Sequence, residues 1–161
     1  GGDLAQAGLA LADMAGLKGR GERHRIHVGG GEALLIDESY NANPASMRAT
    51  LKTLGNESVS GRRIAVLGAM KELGETSDAF HADLAEPIEA ACVDRVILVG
   101  EEMAPLAKAL GPKAEMTHVP DASAALEALE EAIGPGDAIL VKGSNSVGLA
   151  AIVDALAGKE S

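Results

Sequence analysis

The strongest constraint on the fold is a series of short apolar runs, each followed by a segment whose apolar residues have helical spacing. The runs read "RIAVLG", "RVILVG", "EMTHV" and "DAILV". Most of their positions are aliphatic, which suits strands that are buried on both faces. Strands that alternate with helices form a parallel, doubly wound sheet. The sequence therefore predicts a Rossmann-like α/β fold.

An earlier pair of runs, "HRIHV" and "ALLIDE", flanks "GGGE". This pattern predicts a hairpin, which adds an initial antiparallel strand to the mostly parallel sheet. A weaker helix is expected over residues 101–110, and Pro87 should kink or split the second helix. The predicted core stripes of the other helices are Met47, Leu51 and Leu54; Phe80, Leu84 and Ile88; Leu126, Leu129 and Ile133; and Leu149, Ile152, Val153 and Leu156.

The beginning of the chain has a different character. Residues 3–17 repeat apolar side chains at helical spacing, and the Gly-rich basic stretch "GLKGRGERH" follows them. Such a change in composition is typical of a domain boundary. We therefore expect residues 1–18 to be a terminal helix and linker from a preceding domain, and residues 19–161 to form one α/β domain.

Composition argues against several classes of partner. The net charge is −10 and no long run of Lys or Arg is present, which argues against nucleic acid. Cys92 is the only cysteine, so no intrachain disulfide can form. No apolar run approaches the roughly 20 residues of a membrane-spanning helix, and the N-terminus does not resemble a signal peptide. We expect a cytoplasmic protein with no membrane partner.

The position of a ligand site follows from the predicted fold. In doubly wound sheets, ligands bind outside the carboxyl ends of the strands. The loops that leave those ends are predicted at residues 37–44, 68–77, 100–103 and 142–146.

The first of these loops carries several polar side chains. Asp37 ends a strand, where its carboxylate could accept hydrogen bonds from a ribose, and Asn41 offers both a donor and an acceptor. A solvated Asp37 and an Asx turn at Asn41 explain the same residues equally well. Asn43 precedes Pro44, and this pair favours a helix N-cap over a ligand contact.

The later loops add a candidate anion site. Lys142 could meet an anion, Gly143 would let backbone approach a ligand, and Ser144 offers a hydroxyl near a helix start. An ordinary strand-to-helix turn with a solvated lysine is an equal alternative. Glu72 could accept a hydrogen bond from a ligand, although an exposed loop glutamate without a ligand role is the favoured interpretation. For His81, a structural role is favoured over a catalytic one.

Several catalytic patterns are absent from the sequence. It contains no Walker-type phosphate loop, no G-x-G-x-x-G turn, no His/Cys cluster with zinc spacing and no G-x-S-x-G elbow. The sequence therefore predicts no catalytic residue and no metal ligand in this chain.

Three stretches resemble a known family. "IDESYNANPASMRATLKTL" resembles the signature that opens the C-terminal domain of the UDP-N-acetylmuramoyl-tripeptide:D-alanyl-D-alanine (MurF-type) ligases, within the Mur ligase superfamily. "RRIAVLGAMKELGETSDAFH" and "ILVKGSNS" resemble two later signatures, in the same order. The resemblance extends over residues 19–158.

The resemblance implies a function shared among three domains. ATP phosphorylates the carboxylate of the UDP-linked peptide, and the amine of the incoming group attacks the acyl phosphate. The resemblance implies ATP and Mg²⁺ as cofactors of the full-length enzyme, with no metal bound by this domain alone. It implies D-Ala-D-Ala, UDP-N-acetylmuramoyl-tripeptide and the enzyme's N-terminal and central domains as partners. The isolated domain is expected to be inactive.

Residue roles carried over from the family fall into two groups. Nucleotide contacts are implied for Arg20 (phosphate), Asp37 (ribose), Asn41 (adenine end) and the neighbouring Asn43. Dipeptide contacts are implied for Met70, Glu72, Leu73, Lys142, Gly143 and Ser144. The chain departs from the family at two positions, with Ala69 in place of the usual aspartate and Asn145 in place of the usual arginine.

Two alternatives remain open at this point. One is the C-terminal domain of another ligase of the same superfamily, such as a diaminopimelate- or glutamate-adding enzyme or a folylpolyglutamate synthetase. The other is a non-catalytic binding module of flavodoxin-like or receiver type.

Overall fold

The computed structural model describes residues 21–39, 42–71, 73–111, 115–143 and 147–157. The strands are β1 (Glu22–Val28), β2 (Gly31–Glu38), β3 (Arg63–Gly68), β4 (Arg95–Val99), β5 (Met116–Val119) and β6 (Ala138–Lys142). The helices are α1 (Pro44–Asn56), α2 (Ser77–Ala82), α3 (Ala85–Ala90), α4 (Ala104–Leu110), α5 (Ala122–Ala132) and α6 (Ala150–Ala157). Short 3₁₀ turns occupy Gly74–Thr76 and Glu101–Met103.

The strands of the described residues form one six-stranded sheet in the order β1-β2-β6-β3-β4-β5. β1 pairs with β2 in antiparallel fashion, and every other neighbouring pair is parallel. The predicted fold, a mostly parallel sheet with an initial antiparallel hairpin, is confirmed.

Helices cover both faces of the sheet and make two separate cores. On one face, α1, α3 and α4 pack against alternate residues of the strands, and the buried side chains include Met47, Leu51, Leu54, Leu67 and Leu98. On the other face, α5 and α6 bury Leu129, Ile152, Val153 and Leu156 against the intervening strand residues. The predicted stripes of α1 and α6 are therefore confirmed.

The second predicted stripe needs a correction. The chain forms two short helices separated at Asp83 and Leu84, because Pro87 has no N–H to donate to the carbonyl of Asp83. The interruption shifts the helical phase, so that His81 is fully buried while Phe80 is 36% exposed. The predicted split is confirmed, but the assignment of Phe80 to the core is wrong.

Two further sequence-based expectations concern the whole chain. The helix predicted over residues 3–17 lies outside the described residues. Across the described ranges, none of the helices combines the length and the apolar character needed to cross a bilayer.

Candidate functional site at the carboxyl edge of the sheet

The turns after β2, β6 and β3 leave the same edge of the sheet. The strands are neighbours and parallel, and their register pairs Lys142 with Glu38 on one side and with Leu67 on the other. The loop that begins beyond Glu38 and the corner that begins at Lys142 therefore start side by side. This is the juxtaposition that a shared ligand site requires.

A buried lysine and a half-buried glutamate face each other at this edge. Lys142 Nζ lies 3.9 Å from Glu38 Oε1, and the lysine side chain is only 4% exposed. Burial lowers the pKa of Lys142, and the attraction of Glu38 partly opposes this effect. Burial also raises the pKa of Glu38, while Lys142 lowers it and Asp37 raises it. An ammonium in this setting is weakly screened by solvent, so it interacts with nearby charged groups more strongly than a surface lysine does.

Gly143 has a packing role in the structure. A Cβ built on it would lie 3.0 Å from the Gly68 Cα and 2.8 Å from the Leu149 Cδ1. The sequence predicts that this glycine lets backbone approach a ligand, and that contact stays a prediction. The close approach present in this structure is between the ends of β6 and β3.

The loop after β3 is anchored by His81. The Met70 N–H donates to His81 Nε2 at 2.9 Å, and the Ser77 carbonyl accepts from His81 Nδ1 at 2.7 Å. Because a carbonyl only accepts, Nδ1 carries the proton and Nε2 is the acceptor. Met70 is buried and Leu73 is half-buried, so these two predicted dipeptide contacts lie mostly beneath the surface.

An ion pair joins the loops after β3 and β4. Lys71 Nζ donates to Glu102 Oε2 at 2.7 Å, and this hydrogen bond is the main cause of the lowered pKa of Glu102. Both side chains are more than a third exposed, so the pair contributes little to stability. The contact shows that the loops after β3 and β4 lie beside one another.

Asn43 is the N-cap of α1, as its preferred interpretation predicted. Its Oδ1 accepts from the Ser46 N–H at 2.9 Å, and the Ser46 Oγ accepts from the Asn43 N–H at 3.0 Å. These reciprocal bonds form a capping box. The cap uses the side-chain oxygen of Asn43, Oδ1, and leaves the exposed side-chain nitrogen, Nδ2, for a ligand.

Asp37 lies on the opposite face of the sheet from Lys142. It has no exposed surface, and its Oδ1 accepts from both the N–H and the hydroxyl of Ser39. The strand pleat explains this placement, because Asp37 follows Leu35 on the α5/α6 face while Glu38 follows Ile36 on the α1 face. The ribose contact of Asp37 stays a prediction.

Four of the predicted site residues, Arg20, Asn41, Glu72 and Ser144, lie outside the described residues. Glu22 and His24, which are not among the predicted site residues, lie beside Asp37. Their spacing of two residues on a strand was the available signal, since it places both on one face. A search for zinc-binding motifs considers residues close together in sequence, so it misses ligands that the pairing of two strands brings together.

A mixed six-stranded sheet covered by helices on both faces defines the class of the molecule as a doubly wound α/β domain. Residues 19–145 match the family model of the Mur ligase, glutamate ligase domain. The chain belongs to this family.

Curated relatives agree with this assignment. The chain is 36% identical to the UDP-N-acetylmuramoyl-tripeptide–D-alanyl-D-alanine ligase of Synechocystis, over 93% of this chain and 36% of the relative. It is 37% identical to the ligase of the same name from Mycobacterium tuberculosis, over 86% of this chain and 32% of the relative. The chain thus spans about a third of the length of these relatives.

Solved structures give the same result. A crystal structure of MurF from Acinetobacter baumannii superposes with a TM-score of 0.74 at 26% identity, over 89% of this chain and 31% of that one. MurF from Thermotoga maritima in complex with ADP gives a TM-score of 0.69 at 26% identity, over the same shares of the two chains. The resemblance noted from the sequence is confirmed.

Proposed function

We propose that this chain is the C-terminal domain of an ATP-dependent ligase that adds D-Ala-D-Ala to UDP-N-acetylmuramoyl-tripeptide in peptidoglycan synthesis. The observation that carries the proposal is the buried Lys142 beside Glu38 at the carboxyl edge of the sheet. The incoming dipeptide ends in a carboxylate, and the Lys142 ammonium would be a suitable partner for it once the edge opens, since the lysine side chain is only 4% exposed.

The loops around this pair would supply the rest of the dipeptide site. Half-buried Leu73 offers some apolar surface next to the edge, Met70 would be reached only if the loop opened, and Gly143 brings the β6 turn close to the β3 turn. Glu72 and Ser144 complete the proposed set from outside the described residues. The reaction needs no nucleophile from this chain, because the attacking amine belongs to the dipeptide itself.

ATP and Mg²⁺ belong to the proposal as cofactors of the full-length enzyme. ATP would supply the phosphoryl group that activates the carboxylate of the UDP-linked peptide. Of the two predicted nucleotide contacts within the described residues, Asn43 is exposed and Asp37 is buried. Asp37 would need to become exposed before it could reach a ribose, and Arg20 and Asn41 remain proposed contacts.

The remaining domains would complete both sites, which is why we expect this domain to be inactive by itself. We place the enzyme in the cytoplasm, where ATP is available. Its proposed partners are the two substrates and the N-terminal and central domains.

The test is a ligation assay on the full-length protein. Purified enzyme is incubated with ATP, Mg²⁺, UDP-N-acetylmuramoyl-tripeptide and D-Ala-D-Ala, and the product is identified by mass spectrometry. We expect a pentapeptide product and one ADP per product. D-glutamate or diaminopimelate offered with the matching shorter precursor should give none. Product from either of those amino acids in place of D-Ala-D-Ala would contradict the assignment. Product from the 161-residue chain alone would contradict the proposal that the other domains complete the sites.

A further inference from the structure

Three potential metal ligands converge at the start of the β1–β2 hairpin. Glu22, His24 and Asp37 each present one ligand atom, and these three atoms lie within 4.8 Å of one another. The antiparallel register places Glu22 directly opposite Asp37, and His24 follows Glu22 on the same face of β1. His24 Nε2 lies 3.1 Å from Glu22 Oε1.

A second observation separates this cluster from an ordinary group of surface acids. Asp37 is fully buried, and its Oδ2 has no hydrogen-bond partner among the described residues. Its Oδ1 is already occupied by the two bonds from Ser39. A buried carboxylate oxygen without a partner is costly, and a cation beside it would remove that cost.

We propose that Glu22, His24 and Asp37 form a binding site for a divalent first-row transition ion of the Zn²⁺ type. Two carboxylates and one imidazole match the donor preferences of Zn²⁺, whereas Mg²⁺ and Ca²⁺ favour oxygen donors alone. The two carboxylates balance the charge of the ion, and three protein ligands leave a position for water.

The geometry needs only a small adjustment to hold the ion. Donors at about 2.0–2.2 Å from a tetrahedral zinc lie about 3.4 Å apart. The His24–Glu22 separation already meets this requirement, and Asp37 is within reach. The ion would fix the start of β1 to the end of β2, where the Gly21 N–H also donates to the Asp37 carbonyl at 2.8 Å.

This site is separate from the proposed dipeptide site, but it shares Asp37 with the predicted ribose contact, and an ion bound there would occupy that carboxylate. It lies on the α5/α6 face of the sheet, whereas Lys142 and Glu38 lie on the α1 face. Its role would be structural, because it fastens the first described strand to the body of the sheet.

The experiment measures metal binding directly. The 161-residue chain is stripped with EDTA, returned to metal-free buffer and titrated with ZnCl₂ by isothermal calorimetry. Parallel samples receive Co²⁺, whose visible absorption reports an inner-sphere nitrogen and oxygen site. We expect one Zn²⁺ per chain, a Co²⁺ band that Zn²⁺ displaces, and a melting temperature several degrees higher with the ion.

The variants decide which residues bind. Glu22→Gln, His24→Gln and Asp37→Asn should each weaken Zn²⁺ binding at least about tenfold. The matched controls are His27→Gln and Glu32→Gln, which are exposed positions on the same hairpin and should remain within twofold of the parent.

Circular dichroism establishes that each variant is folded. Asn at position 37 can still accept from Ser39, but if that variant unfolds, His24→Gln on the edge strand decides the question. Absence of Zn²⁺ binding by the parent chain would overturn the proposal. Equal loss of binding in the control variants would overturn it as well.

Discussion

Lys142 and Glu38 occupy facing positions on two neighbouring parallel strands, and their side chains meet at the carboxyl edge of the sheet with Nζ 3.9 Å from Oε1. At this distance the two groups form an ion pair but not a hydrogen bond. Both groups are held in an environment that disfavours their charged forms. Replacing a buried ion pair with well-packed apolar residues is often neutral or stabilising, so stability alone does not explain this pair.

The cost of burying Lys142 gives a prediction about pH. A lowered amine pKa means that folding disfavours the charged form. The cost is therefore fully present below the lowered pKa, and it disappears as pH rises toward the ordinary value of 10.5. Relative to Lys142→Met, the parent chain should become more stable as pH rises through this window, as measured by urea unfolding at several pH values.

The matched control for that measurement is Lys108→Met, on the exposed side of α4. The difference in unfolding free energy between this variant and the parent should not change over the same window. If the difference in unfolding free energy between Lys142→Met and the parent is also constant over this pH window, Lys142 is not buried in solution.

His81 should be a stability determinant through a backbone contact. His81→Leu leaves the buried Met70 N–H without its acceptor, so we expect a loss of about 1–3 kcal/mol in unfolding free energy. His118 provides the comparison, because its Nε2 donates to the Gly100 carbonyl but the residue is exposed. Water can replace that partner, and His118→Leu should cost less than about 1 kcal/mol. Equal losses in the two variants would refute the anchoring role of His81.

The capping box at α1 separates a structural from a ligand role for Asn43. Asn43→Ala removes the acceptor of the Ser46 N–H and should cost about 1 kcal/mol, whereas Asn43→Asp keeps an acceptor and should cost less than about 0.5 kcal/mol. Thermal denaturation of both variants measures this difference. If Asn43→Asp also retains the KM for ATP in the full-length enzyme, the amide nitrogen has no part in nucleotide binding.

The close approach of β6 and β3 predicts a strict requirement at Gly143. A methyl group there meets backbone at Gly68, so Gly143→Ala should destabilise the chain by about 1–3 kcal/mol. Gly30 has an open surrounding and an ordinary φ, and Gly30→Ala should be neutral or slightly stabilising. Urea denaturation of the pair provides the measurement. A neutral Gly143→Ala would show that the two strand ends are farther apart in solution.

Much of this molecule could be predicted from its sequence, because the relevant signals are local. The hairpin, the parallel strands, the Asn43–Pro44 helix start and the stripes of α1 and α6 follow from alternation, helical spacing and capping chemistry. The motifs of the opening loop and of the Lys142 corner are also specific enough to indicate the family by themselves.

What the sequence missed depends on the phase and order of the elements. His81 is buried where Phe80 was expected, because the helix is interrupted. The spacing of apolar residues does not reveal where that interruption falls. The Lys142–Glu38 contact exists because β6 inserts between β2 and β3. The burial of Asp37 follows from the pleat of β2, and its approach to Glu22 and His24 follows from the hairpin register.

The most direct test of the central claim is the kinetics of Lys142→Met in the full-length ligase, with the KM values for D-Ala-D-Ala and ATP measured separately. Loss of a charge-assisted contact worth about 1.5–3 kcal/mol should raise the KM for the dipeptide roughly 10- to 100-fold and leave the KM for ATP within about twofold. Lys108→Met should leave both values unchanged. An unchanged dipeptide KM in Lys142→Met would contradict the assignment of the dipeptide site to this edge of the sheet.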